Sequence, residues 1–125
     1  MNFVVVAIGA MIGGLLRYGV SLSFSSNTAG AFPWSTLTIN VIGSFFLGLV
    51  MQLAGERHII GDSAKLFLTI GVIGSFTTFS TFSYESLSLF QSGEIFRGII
   101  YISASNILSI LAAFGGYAIA KSAVL

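Results

Sequence analysis

Four long apolar stretches separated by short polar clusters set the pattern of this chain. The first runs from about Asn2 to Phe24 (2–24) and gives way to the turn-forming residues Ser25-Ser26-Asn27-Thr28, Gly30 and Pro33. Trp34 marks a membrane interface near the start of the second stretch, about 33–53, which ends at Gly55-Glu56-Arg57-His58. A third stretch begins near Ser63 and continues to Phe90 (63–90). After Gln91-Ser92-Gly93-Glu94, a fourth covers about 95–120. A helix needs roughly 20 predominantly apolar residues to cross a bilayer. The pattern therefore predicts an all-α protein, one integral membrane domain of four transmembrane helices.

The third stretch is too long for one straight crossing, about 28 residues or ~42 Å at 1.5 Å per residue. Its middle holds Gly71, Gly74 and the Thr77-Thr78 pair, so a broken third helix is expected. Irregular backbone at membrane depth is tolerated only where it is buried in protein or lines a wet cavity. A break would thus lie away from lipid; the alternative is an unbroken, tilted helix.

Composition narrows the picture. Of 125 residues 55% are hydrophobic and only 7% charged, against about a quarter charged in soluble domains. The chain cannot solvate its own surface, and its partner is the lipid bilayer. No removable signal peptide is expected, because no basic region precedes the first apolar run. With no cysteine there is no disulfide framework or thiolate site, and a net charge of +1 argues against nucleic acid. Four crossings put Arg57, Lys65 and Lys121 on one side and Arg17 and Arg97 on the other. Such a small basic bias permits both orientations, and hence an antiparallel dimer, without establishing one.

Polar residues inside the spans carry the candidate chemistry. Gly9, Gly13 and Arg17 recur every four residues in the first helix, a small-residue packing face that Arg17 extends toward the bundle or the interface. Thr36, Asn40, Gly43 and Ser44 form a polar seam in the second. The Asn40 amide must find partners there, either a neighbouring helix or a passing anion. Tyr101, Ser105 and Ser109 make a hydroxyl track in the fourth, with Asn106 close to the same side.

The run from Gly74 to Glu85 alternates aromatics with hydroxyls. Phe76, Phe79 and Phe82 fall within about 120° of one another on a helix. Phenylalanines at that spacing are commonly packing residues. A ring also has a positive edge, however, and edges turned to a narrow path hold an anion weakly while hydroxyl and amide donors replace its lost water. Glu85, the one acid inside a predicted span, lies near the end of the third helix and reads as interfacial or water-facing. His58 reads as a solvated loop residue, and no acid, base and nucleophile set suggests an enzyme.

The run Thr77-Thr-Phe-Ser-Thr-Phe82, preceded by Gly71 and Gly74, resembles the signature of the Fluc/CrcB family of fluoride ion channels. Gly14-Leu-Leu-Arg17-Tyr18, Thr36-Leu-Thr-Ile-Asn40-Val-Ile-Gly43-Ser44-Phe45 and the Tyr101, Ser105, Ser109 track extend the resemblance over essentially the whole chain. It implies a passive fluoride channel of the plasma membrane (the inner membrane in bacteria), assembled as an antiparallel dual-topology homodimer. Asn40, Phe79 and Phe82 would line the pore, Tyr101, Ser105 and Ser109 would supply its polar track, and Thr36 lies on the adjacent face. A structural sodium ion (Na+) at the dimer centre would be bound by the main-chain carbonyls of Gly74 and Thr77. Where many relatives are expected to carry a second glycine before the double threonine, this chain has Ser75-Phe76.

Hydrogen fluoride enters cells as a neutral weak acid and ionises in the more alkaline cytoplasm, so a pore alone lets fluoride leave. The runner-up is a small proton-coupled multidrug exporter of the four-helix dual-topology type, which needs a deeply buried carboxylate; the first helix has none. A non-transporting assembly protein with purely structural polar seams is the third reading.

Overall fold

The computed structural model describes residues 1–24, 30–55 and 59–123. The Ser25-Thr28 cluster and the Glu56-Arg57-His58 loop lie outside them. Four spans are long and apolar enough to cross a membrane: Asn2–Ser23, Trp34–Gly55, Asp62–Gln91 and Ile95–Ala123. Helix α1 (Asn2–Ser23), α2 (Trp34–Gly55) and α6 (Ile95–Ala123) are continuous. The third span is composite. It comprises α3 (Asp62–Leu66), a π-helical segment (Phe67–Ile73), α4 (Gly74–Phe76) and, after an interruption at Thr77 and Thr78, α5 (Phe79–Gln91).

Small residues let the helices approach to backbone contact, the usual basis of packing where no water drives association. Helices α2 and α6 form the most extensive pair. A Cβ on Gly116 would overlap the Phe45 carbonyl, and one on Gly48 the Ala113 carbonyl. Helix α1 lies against the π-helical segment and α4. Its buried residues are Gly9 and Gly13, set against the backbone of Phe67, Gly71 and Val72. The predicted small-residue stripe is thus a packing face, and its target is the irregular part of the third span. Leu15, Ile107 and Phe114 project outward, as lipid-facing side chains do.

The interruption is an extended step. Thr77 has φ −77° and ψ 159°, and Thr78 has φ −152° and ψ 118°. Thr78 then caps α5, its hydroxyl accepting from the Thr81 N–H at 3.2 Å, which satisfies one of the open donors of a helix N-terminus. A π-helical turn bonds five residues back; here the Gly74 N–H reaches the Thr69 carbonyl.

The α1–α2 connector is tied to the α5–α6 reversal. Gly30 adopts φ 80°, a left-handed conformation open to glycine, and accepts from Arg97 Nη1 at 2.9 Å. Arg97 also pairs with Glu94 at 3.6 Å.

Candidate functional site

The site grows out of the break. In an unbroken helix the Thr78 N–H would bond back along the chain to Gly74. Instead it donates to Asn40 Oδ1 at 2.8 Å, while Asn40 Nδ2 donates to the Thr78 carbonyl at 3.0 Å. The side-chain amide of α2 thus pairs with one residue of backbone as a neighbouring strand would. Asn40 keeps a second N–H for other use.

Gly43, one turn further along α2, makes room for this step. A Cβ there would overlap Thr77 Cγ2 and touch the Phe76 ring. The Phe76 side chain, whose place the sequence left open, is therefore set against α2. From the other side Arg17 Nη1 approaches the Thr77 carbonyl at 3.5 Å.

A groove of about 260 Å³ opens beside the break. Asn40, Phe79, Phe82, Ser105 and Ser109, all singled out from the sequence, line it together with Thr77, Thr78, Gly43, Ser44, Leu47 and Asn106. The Ser105 and Ser109 hydroxyl oxygens are buried and have no hydrogen-bond partner among the described residues. The rings of Phe79 and Phe82 lie 5.5 Å apart at 45°, and Phe79 is 77% exposed in the single subunit.

Thr36 and Tyr101 lie off this groove and meet at a residue that the sequence had placed at the periphery. Glu85 turns inward. Its Oε1 accepts from Thr36 Oγ1 at 2.9 Å, and its Oε2 accepts from Tyr101 Oη at 2.7 Å. Tyr101 is fully buried, and its ring stands 5.3 Å from that of Phe82. The missed signal was rotational: Glu85 follows Phe82 by three residues and so shares its face of the helix. Thr36 also borders a second cavity of about 250 Å³, shared with Arg17, Tyr18, Ser21, Thr78 and Thr81.

Among the described residues no cluster of three or more His, Cys, Asp or Glu side chains is placed to hold a metal ion. Main-chain oxygens are the remaining donors. The break diverts the Thr78 N–H from the Gly74 carbonyl and turns the Thr77 carbonyl out of the helix. Both oxygens suit a hard cation, although Thr77 shares its oxygen with the Arg17 guanidinium at long range.

A family model described as "CrcB-like protein, Camphor Resistance (CrcB)" matches residues 4–117. The chain belongs to the CrcB family. Among its CrcB relatives is a "Fluoride-specific ion channel FluC" of Thermus thermophilus, 45% identical over 116 residues, 93% of this chain and 91% of the relative. One of the same name from Agrobacterium fabrum is 42% identical over 123 residues, 98% of each. A third, "Fluoride-specific ion channel FluC 1" of Methanosarcina acetivorans, is 42% identical over 115 residues, 92% of this chain and 87% of the relative. With its four apolar spans, the chain is an integral, multi-pass membrane protein of a channel family.

Proposed function

We propose that this protein is a fluoride-selective channel that lets cytoplasmic fluoride leave passively. The observation that carries the proposal is the near full-length identity to relatives named as fluoride-specific channels. The groove beside the break suits such a task. A small, strongly hydrated anion must find replacements for its water along the way. The second N–H of Asn40, the hydroxyls of Ser105 and Ser109, unpartnered among the described residues, and the ring edges of Phe79 and Phe82 are available there. Those five residues form the proposed path, with Tyr101 and Thr36 serving it through Glu85.

The working unit is an antiparallel dual-topology homodimer in the plasma membrane, residues 1–125 acting as one membrane domain. The exposed flank of α5 supports it: Phe79, Ser80, Thr81 and Ser83 face outward in the single subunit. Hydroxyls at membrane depth are better covered by protein than by lipid. A sodium ion on the axis of that dimer would take the Gly74 and Thr77 carbonyls, two from each subunit. Its role is structural, holding the two breaks together.

Fluoride and chloride efflux measured side by side from liposomes containing the purified protein tests the function. Fast fluoride release without chloride release is expected, and equal release of both, or of neither, would remove the proposal. The relatives' names do not favour the proton-coupled exporter.

A further inference from the structure

Five aromatic rings form a continuous ladder from the groove toward one membrane face. Phe79 and Phe82 stand 5.5 Å apart, Phe82 and Tyr101 5.3 Å, Tyr101 and Phe32 5.6 Å at 83°, and Phe32 and Trp34 4.5 Å. The first three belong to the resemblance noted in the sequence. Phe32 does not; it sits in the connector before α2, where no periodicity marks it.

Its surroundings fix it firmly. The connector is anchored by the Arg97 bond to the Gly30 carbonyl at 2.9 Å. A tight turn about Pro33, closed by the Trp34 N–H on the Phe32 carbonyl at 2.9 Å, sets the direction of the chain. Phe32 packs against the buried cluster of Leu37, Leu89 and Tyr101. The Tyr101 ring is thereby held between Phe82 from α5 and Phe32 from the connector, with no solvent exposure.

We propose that Phe32 is a positioning residue of the conduction path: its T-shaped contact fixes the Tyr101 ring so that the hydroxyl donates to Glu85. The inference rests on the fluoride-channel function proposed above. Tyr101 Oη reaches Glu85 Oε2 at 2.7 Å, and such a bond weakens steeply as it lengthens or bends. Without Phe32 one side of the phenol ring is empty. The ring then swings, the hydroxyl leaves the carboxylate, and the donor pair that Thr36 and Tyr101 present around Glu85 is broken. Phe32 touches no ion; it acts through Tyr101.

A double-mutant cycle separates this role from simple packing, since residues acting through one contact are non-additive. Fluoride efflux is measured from liposomes carrying the full-length protein as wild type, Phe32→Leu, Tyr101→Phe and the double variant. Phe32→Leu is expected to slow efflux roughly tenfold, and the double variant to match Tyr101→Phe alone. Phe32→Tyr keeps the ring and should retain at least half of the wild-type rate. Losses that multiply in the double variant would overturn the inference, as would wild-type rates in Phe32→Leu or in Tyr101→Phe. Should Phe32→Leu fail to assemble, Phe32→Tyr decides: retained flux supports the positioning role, and a properly assembled but slow variant ends it. A wild type that passes no fluoride would remove the channel function itself, and this inference with it.

Discussion

Asn40 and Thr78 are joined by two hydrogen bonds, side-chain amide to main-chain carbonyl at 3.0 Å and main-chain N–H to side-chain oxygen at 2.8 Å. This pairing is what a membrane protein needs wherever a helix stops inside the bilayer, because water cannot satisfy the freed groups. Asn40→Ala leaves the N–H of the buried Thr78 open, at about 1–3 kcal/mol, while the Thr78 carbonyl, as the N-cap of α5, keeps its bond from the first turn of the helix. Asn40→Asp keeps the acceptor but sets a carboxylate oxygen against the Thr78 carbonyl. Both variants are expected to unfold at lower temperature in detergent than the wild type, with Asp no better than Ala. Equal melting temperatures across the three would mean that the break is held by other contacts.

Gly43 and Thr77 make a second pairing, by shape. A Cβ on Gly43 would overlap Thr77 Cγ2, so Gly43→Ala should destabilise by about 1–3 kcal/mol, the range for overpacking a filled core. Thr77→Ser removes the methyl group that is struck while keeping the hydroxyl that donates to the Ile73 carbonyl at 3.0 Å. The Gly43→Ala/Thr77→Ser double variant should therefore recover much of the lost stability. Failure of this rescue, measured by thermal unfolding, would show that the backbone rather than the methyl group is displaced.

Ser105 and Ser109 allow stability and conduction to be pulled apart. Their hydroxyl oxygens are buried and have no partner among the described residues, a condition that favours replacement by an apolar group. Ser105→Ala and Ser109→Ala are expected to leave the melting temperature unchanged or raise it slightly. Fluoride efflux should fall, because donors are lost from the groove. A loss of stability in either variant would instead reveal a structural bond for that hydroxyl.

Sequence pattern alone exposed the four spans, since charges are sparse and the apolar runs between them have crossing length. It also exposed the break, through the excess length of the third span and the glycines and threonines at its middle. It did not expose the π-helical segment. Phe67-Leu-Thr-Ile-Gly-Val-Ile73 carries no local mark of that geometry, and α1 meets it through Gly9 and Gly13, some 60 residues away in the chain. Glu85 was missed for a related reason. Its depth along the helix was readable, but its partners come from α2 and α6, and only tertiary packing brings Thr36 and Tyr101 to the two oxygens of one carboxylate. Phe32 shows the same limit: a single ring in a connector has no period to betray it.

Phe79 and Phe82 carry the ring-edge mechanism. Phe79→Ile and Phe82→Ile retain apolar bulk but lose the positive ring edge, an interaction of about 0.5–1.5 kcal/mol for aromatic contacts generally. Each is expected to lower fluoride efflux by roughly tenfold, the factor that corresponds to 1.4 kcal/mol. Phe79 is mostly exposed in the single subunit, so its replacement should spare the subunit's fold, and size-exclusion chromatography checks that the dimer, whose proposed interface includes Phe79, still assembles. Wild-type efflux from both variants would leave the hydroxyl and amide donors as the whole of the path.

Glu85 discriminates between the channel and a proton-coupled exporter. Its two oxygens each accept from one hydroxyl, those of Thr36 and Tyr101. Glu85→Gln presents one oxygen and one NH2 group where two acceptors stood, so one of the two hydroxyls, Thr36 or Tyr101, must accept instead of donate. A channel needs no proton carrier. In it the variant should still pass fluoride down its gradient, at a rate lowered by the rearranged hydroxyls, and a pH gradient alone should drive nothing. An exporter would lose all proton-coupled uptake of a hydrophobic cation with the same substitution. Uptake of such a cation by the wild type, abolished in Glu85→Gln, would therefore reverse the functional assignment, whereas fluoride efflux persisting in the variant keeps Glu85 as a partner of the path and not its engine.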